Sequence, residues 1–404
     1  MLFVKLFSII LILIILLKLK TDITLSLFIL SVYSVFIFNI DPYTSVKAAL
    51  QILKAPDSLR LYVIIVSVLY ISKIQQKKNM FDKLVNSLNH ILREKKRVAM
   101  VGPAIIGFLP MPGGALVSAP LVEETTKDLH LKSEFKTFMN YWFRHIWEFV
   151  WPIYAGLLLF QTMSGIPMKK IVLLQSPYTI LNILSGIIVT VLYMKKNRIK
   201  KQKIIARSGI KSMISDFFAG VWPVAVIIVL FFLFSIPLYI ALLITSVLLT
   251  VVKKISIRDI LKILFSKLIF KTVVLIATVL IFQEIISISQ IFNYLGGEHL
   301  SLGILILFSF GISFSLGFLT GVNTAYIAIA FPVMLPIIRS SSHFVQLSIY
   351  LYVIGFAGIL LSPVHLCLVL SNEYFGSNLV KVYRYLIPPV VIMMTTATIV
   401  VIFF

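Results

Sequence analysis

Gly107-Phe108-Leu109-Pro110-Met111-Pro112-Gly113-Gly114-Ala115 and Gly317-Phe318-Leu319-Thr320-Gly321-Val322-Asn323-Thr324-Ala325 are the two stretches on which the reading of this chain turns. They share Gly-Phe-Leu and a later alanine in one register, Gly107 matching Gly317. Each lies in an apolar segment dense in helix breakers. The first, 98–122, carries Pro103, Pro110, Pro112, Gly113, Gly114 and Pro120; the second, 300–338, carries Gly311, Gly317, Gly321, Pro332 and Pro336. A proline inside a helix removes a donor and clashes with the preceding turn. Broken backbone at membrane depth is tolerated only where it is buried in protein or lines a wet cavity. Both segments are therefore expected to be re-entrant hairpins that enter and leave on the same side.

The membrane setting follows from composition. The chain has 404 residues, of which 59% are hydrophobic and 13% charged, and its mean hydropathy is +1.02. No water-soluble globular surface has that character. Apolar runs near 6–17, 23–40, 59–74, 137–162, 170–194, 218–234, 237–252, 268–287, 343–370 and 383–403 give ten crossings at about 20 residues each. The first run is followed by Lys18, Lys20 and Asp22 instead of a small-residue cleavage site, so it is read as a retained span. No room remains for a separate soluble catalytic domain. The expected fold is an all-α polytopic membrane protein: ten transmembrane helices and two re-entrant hairpins, arranged as two inverted-topology repeats.

Charge sets the orientation. There are 37 Lys+Arg against 15 Asp+Glu, a formal net charge of +22. In a polytopic chain this excess marks basic cytoplasmic loops and not a nucleic-acid partner. The loops 18–22, 75–97, 123–136 and 195–217 hold most of the Lys and Arg, and 253–267 and 371–382 fall on the same side; 235–236 lacks basic residues, as does 288–299 opposite. The expected location is the cell membrane, with the basic linker 195–217 cytoplasmic and both termini outside. That linker divides a first repeat, 1–194, from a second, 218–404. An odd number of crossings in each half inverts one relative to the other. Paired broken helices in inverted repeats are the architecture of many secondary transporters, with the site near the midplane.

The polar groups cluster accordingly. A helix starting after Gly113-Gly114 points unpaired N–H groups inward, which attracts anions. Asn323 and Thr324 add amide and hydroxyl groups at the second turn. The alternative is that these residues only pack and cap helices. Beyond the first hairpin, Asn140, Arg144, His145 and Glu148 lie inside an expected span, with Arg144 and Glu148 four apart and able to pair on one helical face. Intramembrane ionisable groups are functional candidates; the alternative is an interfacial anchor built with Trp142, Trp147 and Trp151. In the second half, Ser362, Pro363 and His365 interrupt an apolar run, and the proline frees carbonyls suited to a cation. His365 is either a proton carrier or a core histidine.

Several chemistries lack a foothold. There is no Gly-Lys-Ser/Thr phosphate loop, no His-Glu-x-x-His motif and no Gly-x-Ser-x-Gly elbow. The chain has a single cysteine, Cys367, which excludes an intramolecular disulfide and a cysteine-only metal cluster. His145 to Glu148 offers too few ligands for a metal site. The expectation is therefore no enzyme, no metal and no cofactor beyond sodium or protons as a coupling ion.

The quoted hairpin stretch with Ser118-Ala119-Pro120, the run Asn140 to Glu148 with Trp151-Pro152, and Ser362-Pro363-Val364-His365-Leu366-Cys367-Leu368-Val369-Leu370 resemble domain-of-unknown-function family 401. That family of integral membrane proteins is grouped with the ion-transporter superfamily, which includes citrate–metal, gluconate and arsenite permeases, sodium/proton antiporters and dicarboxylate/sodium symporters. The resemblance implies inverted repeats, a homodimer and elevator-like motion. It also implies hairpin tips that contact a substrate carboxylate and sodium through a Ser-Asn-Thr motif. This chain keeps Asn323-Thr324, with Val322 in place of the serine, and carries Gly113-Gly114 at the first tip. The resulting expectation is a secondary transporter of a small anionic solute. Gly113, Gly114, Asn323, Thr324, Arg144 and Asn140 would bind the solute; Ser362, His365, Glu148 and His145 would couple the ion. A cation/proton antiporter working through Glu148 is the rival in transport, and a membrane-embedded enzyme or a non-transporting partner subunit is the rival outside it.

Overall fold

The computed structural model describes residues 21–80, 94–108, 114–199, 210–289 and 300–403, with scattered positions between 5 and 19 and at 83–84 and 87. Among the described residues the chain is helical, without a strand. Six helical segments are long and apolar enough to cross a membrane: Met168–Lys196, Ser215–Leu233, Lys267–Ile288, Leu302–Thr320, Phe344–Phe375 and Leu379–Phe403. This is a multi-pass membrane protein. The first expected crossing, the tip of the first hairpin (109–113) and most of the basic linker (200–209) lie outside the described residues.

In the first half the helices are α1 (Ile23–Ile37), α2 (Pro42–Lys54), α3 (Pro56–Lys77), α4 (Lys95–Gly107), α5 (Ala115–Thr126), α6 (Ser133–Arg144), α7 (Ala155–Ser164) and α8 (Met168–Lys196). Then follow α9 (Ile210–Ile228), α10 (Leu238–Val252), α11 (Ile257–Leu264), α12 (Lys267–Ile288), α13 (Leu302–Thr320), α14 (Asn323–Ile338), α15 (Phe344–Leu361), α16 (Leu366–Phe375) and α17 (Leu379–Phe403). Local chemistry sets many boundaries. Asp22 and Asp41 accept from the amides of Thr24 and Thr44 to start α1 and α2. Pro42 and Pro56 occupy first-turn positions, where no donor is lost.

Two departures from the sequence reading concern short helices. α2 and α11 fall where connections were expected. α11 buries no residue and is tied to α3 by the Lys77–Asp259 ion pair at 2.5 Å. A third departure matters for function. The spans expected at 137–162 and 343–370 are each two helices. α6 ends at Arg144, turns occupy most of 145–154, and α7 runs ten residues to Gly165. α15 ends at Leu361, Ser362 to His365 breaks the path, and α16 runs ten residues to Gly376. Pro152 and Pro363 sit inside these breaks, where a proline ring would clash with a preceding turn. Both ten-residue helices close on a left-handed glycine, Gly165 with φ 72° and Gly376 with φ 59°.

The two halves of the chain interleave. One group of helices joins α1, α2 and α3 to α9 through α12; the other joins α4 through α8 to α13 through α17. The groups touch where α12 packs on α14 and α3 on α7. Within the second group the partners cross over between halves, α7 lying on α14 and α16 on α5 and α6. α13 and α15 approach backbone to backbone: a side chain on Gly317 would strike Gly355 O, and one on Gly358 would strike Phe314 O. Small residues permit this approach between membrane helices.

Candidate functional site

The last carbonyls of a helix have no partner within it, and α4 ends inside the protein. The last residue of α6 and the irregular segment after it supply the donors. Arg144 Nη1 donates to Ile106 O at 3.3 Å, Trp147 Nε1 to Ala104 O at 2.8 Å and Trp151 Nε1 to Phe108 O at 2.8 Å. Tyr154 adds its hydroxyl to Gly107 O. Two sequence expectations change here. Arg144 and Glu148 do not pair, because α6 ends at Arg144 and the four-residue helical spacing ends with it. Nor do the tryptophans form an interfacial belt: Trp142 and Trp151 are buried and hold internal carbonyls, Trp142 reaching Asn182 O at 2.9 Å.

The break after α15 treats α13 in the same way. Ser362 Oγ donates to Phe318 O at 2.6 Å, and His365 Nδ1 lies 2.6 Å from Gly321 O. Gly321 needs its left-handed φ of 60° to turn α13 into α14. A side chain there would also meet Ser362 and His365.

Across the centre the two breaks and the second turn join. Asn323 Nδ2 donates to Glu148 Oε2 at 3.0 Å and to Tyr352 Oη at 3.3 Å. The Tyr352 hydroxyl in turn donates to Glu148 O at 2.8 Å. His145 Nε2 lies 3.2 Å from His365 Nε2, and His145 Nδ1 lies 2.7 Å from Tyr141 O. The donor atoms of His145, His365 and Cys367 all fall within 4.8 Å of one another. Farther along, Asn140 Nδ2 donates to Ala115 O at 3.0 Å and to Ser371 Oγ at 2.9 Å. The Oδ1 atoms of Asn140 and Asn323 are buried without a partner among the described residues. α7, α14 and α16 all begin in this region with no side-chain cap on their first amides. Their positive dipole ends and the buried Arg144 make the centre favourable for an anion.

Of the residues expected from sequence, Asn140, Arg144, His145, Glu148, Asn323, Ser362 and His365 are brought into this connected region. Gly114 is the buried N-cap of α5, and Thr324 lies half-buried in the first turn of α14. Gly113 lies outside the described residues. Sequence reasoning missed Cys367, Tyr154 and Tyr352. Each stands in an apolar run with no local signal, and Cys367 gains meaning only beside a histidine from the other half.

A cavity of about 620 Å³ opens between the two helix groups alongside α7. Its lining includes Arg60, Gln161, Thr162, Lys169 and Tyr239.

No curated protein matches the chain. A family model does match it, over residues 1–404, and the chain belongs to that family, described as protein of unknown function DUF401.

Proposed function

We propose that this protein is a secondary active transporter of a small anionic solute, coupled to sodium or protons. The observation that carries the reading is the meeting of Asn323 with Glu148, which joins the turn of one hairpin to the helix break of the other half in the protein's centre. Transporters place their sites at such junctions, where half-helix ends supply donors to anions and freed carbonyls supply ligands to cations. The unpartnered Oδ1 atoms of Asn140 and Asn323 are acceptors for a solute hydroxyl or for sodium.

Matching contacts support two repeats. Trp151 serves Phe108 O as Ser362 serves Phe318 O. Gly107 presses on Arg144 O as Gly317 presses on Gly355 O. The two ten-residue helices, Ala155–Ser164 and Leu366–Phe375, fill the same place in each half. Membership of the ion-transporter superfamily, re-entrance of both hairpins, sliding of one helix group past the other and assembly as a homodimer belong to the same proposal.

The test is thermal unfolding of the purified chain with a panel of carboxylates, phosphate-like and sugar-acid anions, in sodium or choline, at two pH values. A ligand at about a hundred times its dissociation constant adds roughly 2.7 kcal/mol. An anion that stabilises the wild type and not Asn323→Ala with Thr324→Ala supports the reading. The engagement of Glu148, the acidic side chain of this cluster, favours a second reading, a cation/proton antiporter. Stabilisation by bare cations alone, abolished in Glu148→Gln, would establish that reading in place of the first.

A further inference from the structure

His145 and His365 each present one ring nitrogen to a backbone carbonyl, Tyr141 O at 2.7 Å and Gly321 O at 2.6 Å. A carbonyl only accepts, so Nδ1 carries the proton in both rings. In the neutral rings both Nε2 atoms are then bare lone pairs, and they face each other at 3.2 Å. Two acceptors approach so closely only around something positive, either a proton on one ring or a metal ion. The thiol of Cys367 borders the same point, with all three donor atoms within 4.8 Å of one another. Metal-bound histidines have this arrangement, in which Nδ1–H is held by a carbonyl and Nε2 is aimed at the ion.

We propose that His145 Nε2, His365 Nε2 and Cys367 Sγ form a binding site for a zinc-class metal ion, linking the two helix breaks. Zinc takes imidazole nitrogen at about 2.0–2.1 Å and thiolate sulfur at about 2.3 Å, which places tetrahedral ligand atoms roughly 3.5 Å apart. Small side-chain rotations bring the trio to that spacing. On binding, the Cys367 sulfur loses its proton to the medium and coordinates as thiolate. Three protein ligands leave a fourth position open for water or a solute atom. A nucleophilic Cys–His pair would need only one of the two histidines and would leave the facing Nε2 atoms unexplained. The site stands on this geometry and does not rest on the transport reading.

The experiment is titration of the chelator-stripped full chain with Cd²⁺, following the thiolate-to-cadmium absorption band. The band should saturate at a single equivalent and be displaced by Zn²⁺. Cys367→Ser should abolish it, and His145→Gln or His365→Gln should weaken Cd²⁺ binding at least roughly tenfold. No band in the wild type, or undiminished affinity in both histidine variants, overturns the proposal. Zinc-edge X-ray absorption of the loaded wild type decides without any variant. One sulfur with two imidazoles supports the site, and an all-oxygen shell overturns it.

Discussion

Asn323 donates to Glu148 Oε2 at 3.0 Å across 175 positions of the chain, while Gly156 leaves space for the amide: a side chain there would come within 2.6 Å of Asn323 Cγ. Three elements thus fix one contact. Removing the amide in Asn323→Ala strips the buried Glu148 carboxyl of its donor, at a cost of about 1–3 kcal/mol in unfolding free energy. Asn323→Asp sets two carboxylates face to face, so its stability at pH 8 should fall below that of Asn323→Ala. The gap should shrink at acidic pH, where one carboxylate takes a proton. Gly156→Ala should displace the amide and abolish solute-induced stabilisation. Thermal unfolding of the three variants at two pH values, with and without the anion that stabilises the wild type, checks all of this.

α13 carries its own internal control. A methyl group on Gly317 would collide with the backbone carbonyl of Gly355, which cannot swing aside, whereas Gly303 and Gly311 on the same helix face open space. Gly317→Ala is expected to lose about 1–3 kcal/mol through overpacking. Gly311→Ala should be neutral or gain up to about 1 kcal/mol from helix propensity. Equal effects at the two positions, measured by denaturant unfolding in detergent, would count against the close α13–α15 packing.

What the sequence discloses here depends on the range of the forces involved. The turn at Gly321 and the interruption at Pro363 were legible, because glycine and proline act on their own backbone; the break near Pro152 was not, because 137–162 reads as one apolar run of crossing length. The register shared by Gly107 and Gly317 was legible for the same reason, since each glycine answers a close backbone approach. The Arg144–Glu148 pair failed because helical spacing was assumed through a segment that is not helical. Cys367 was dismissed because its partners, His145 and His365, share no local pattern with one another; only the packing of α16 on α6 brings them together. α11 went unseen because eight residues that bury nothing leave no apolar pattern of crossing length.

Acid should loosen α11 before it touches the core. Lys77 and Ser256 hold the Asp259 carboxyl below its ordinary value of 3.8. A carboxylate with a depressed native value contributes stability above the ordinary value and loses it as pH falls through the depressed one. The protection factors of Ile257–Leu264, taken relative to the intrinsic exchange rate at each pH, should therefore be flat from pH 7 down to about 4 and fall below it. In Lys77→Met the added protection should be absent across the whole range. Moderate salt should mimic the variant, because an exposed pair is screened.

α8 tests the orientation. At 29 residues it is about 43 Å long, more than the roughly 30 Å of a bilayer core, so both ends must emerge. Lys169 and Lys170 lie in its first turn, and Lys195 and Lys196 in its last; all four are exposed. The excess of Lys and Arg beyond Lys196 leads us to expect that end in the cytoplasm. In a Cys367→Ser background, Lys170→Cys in intact cells should react with a membrane-impermeant maleimide, and Lys196→Cys should react only after permeabilisation. The reverse pattern would turn the molecule over and place the cavity beside Lys169 on the cytoplasmic face.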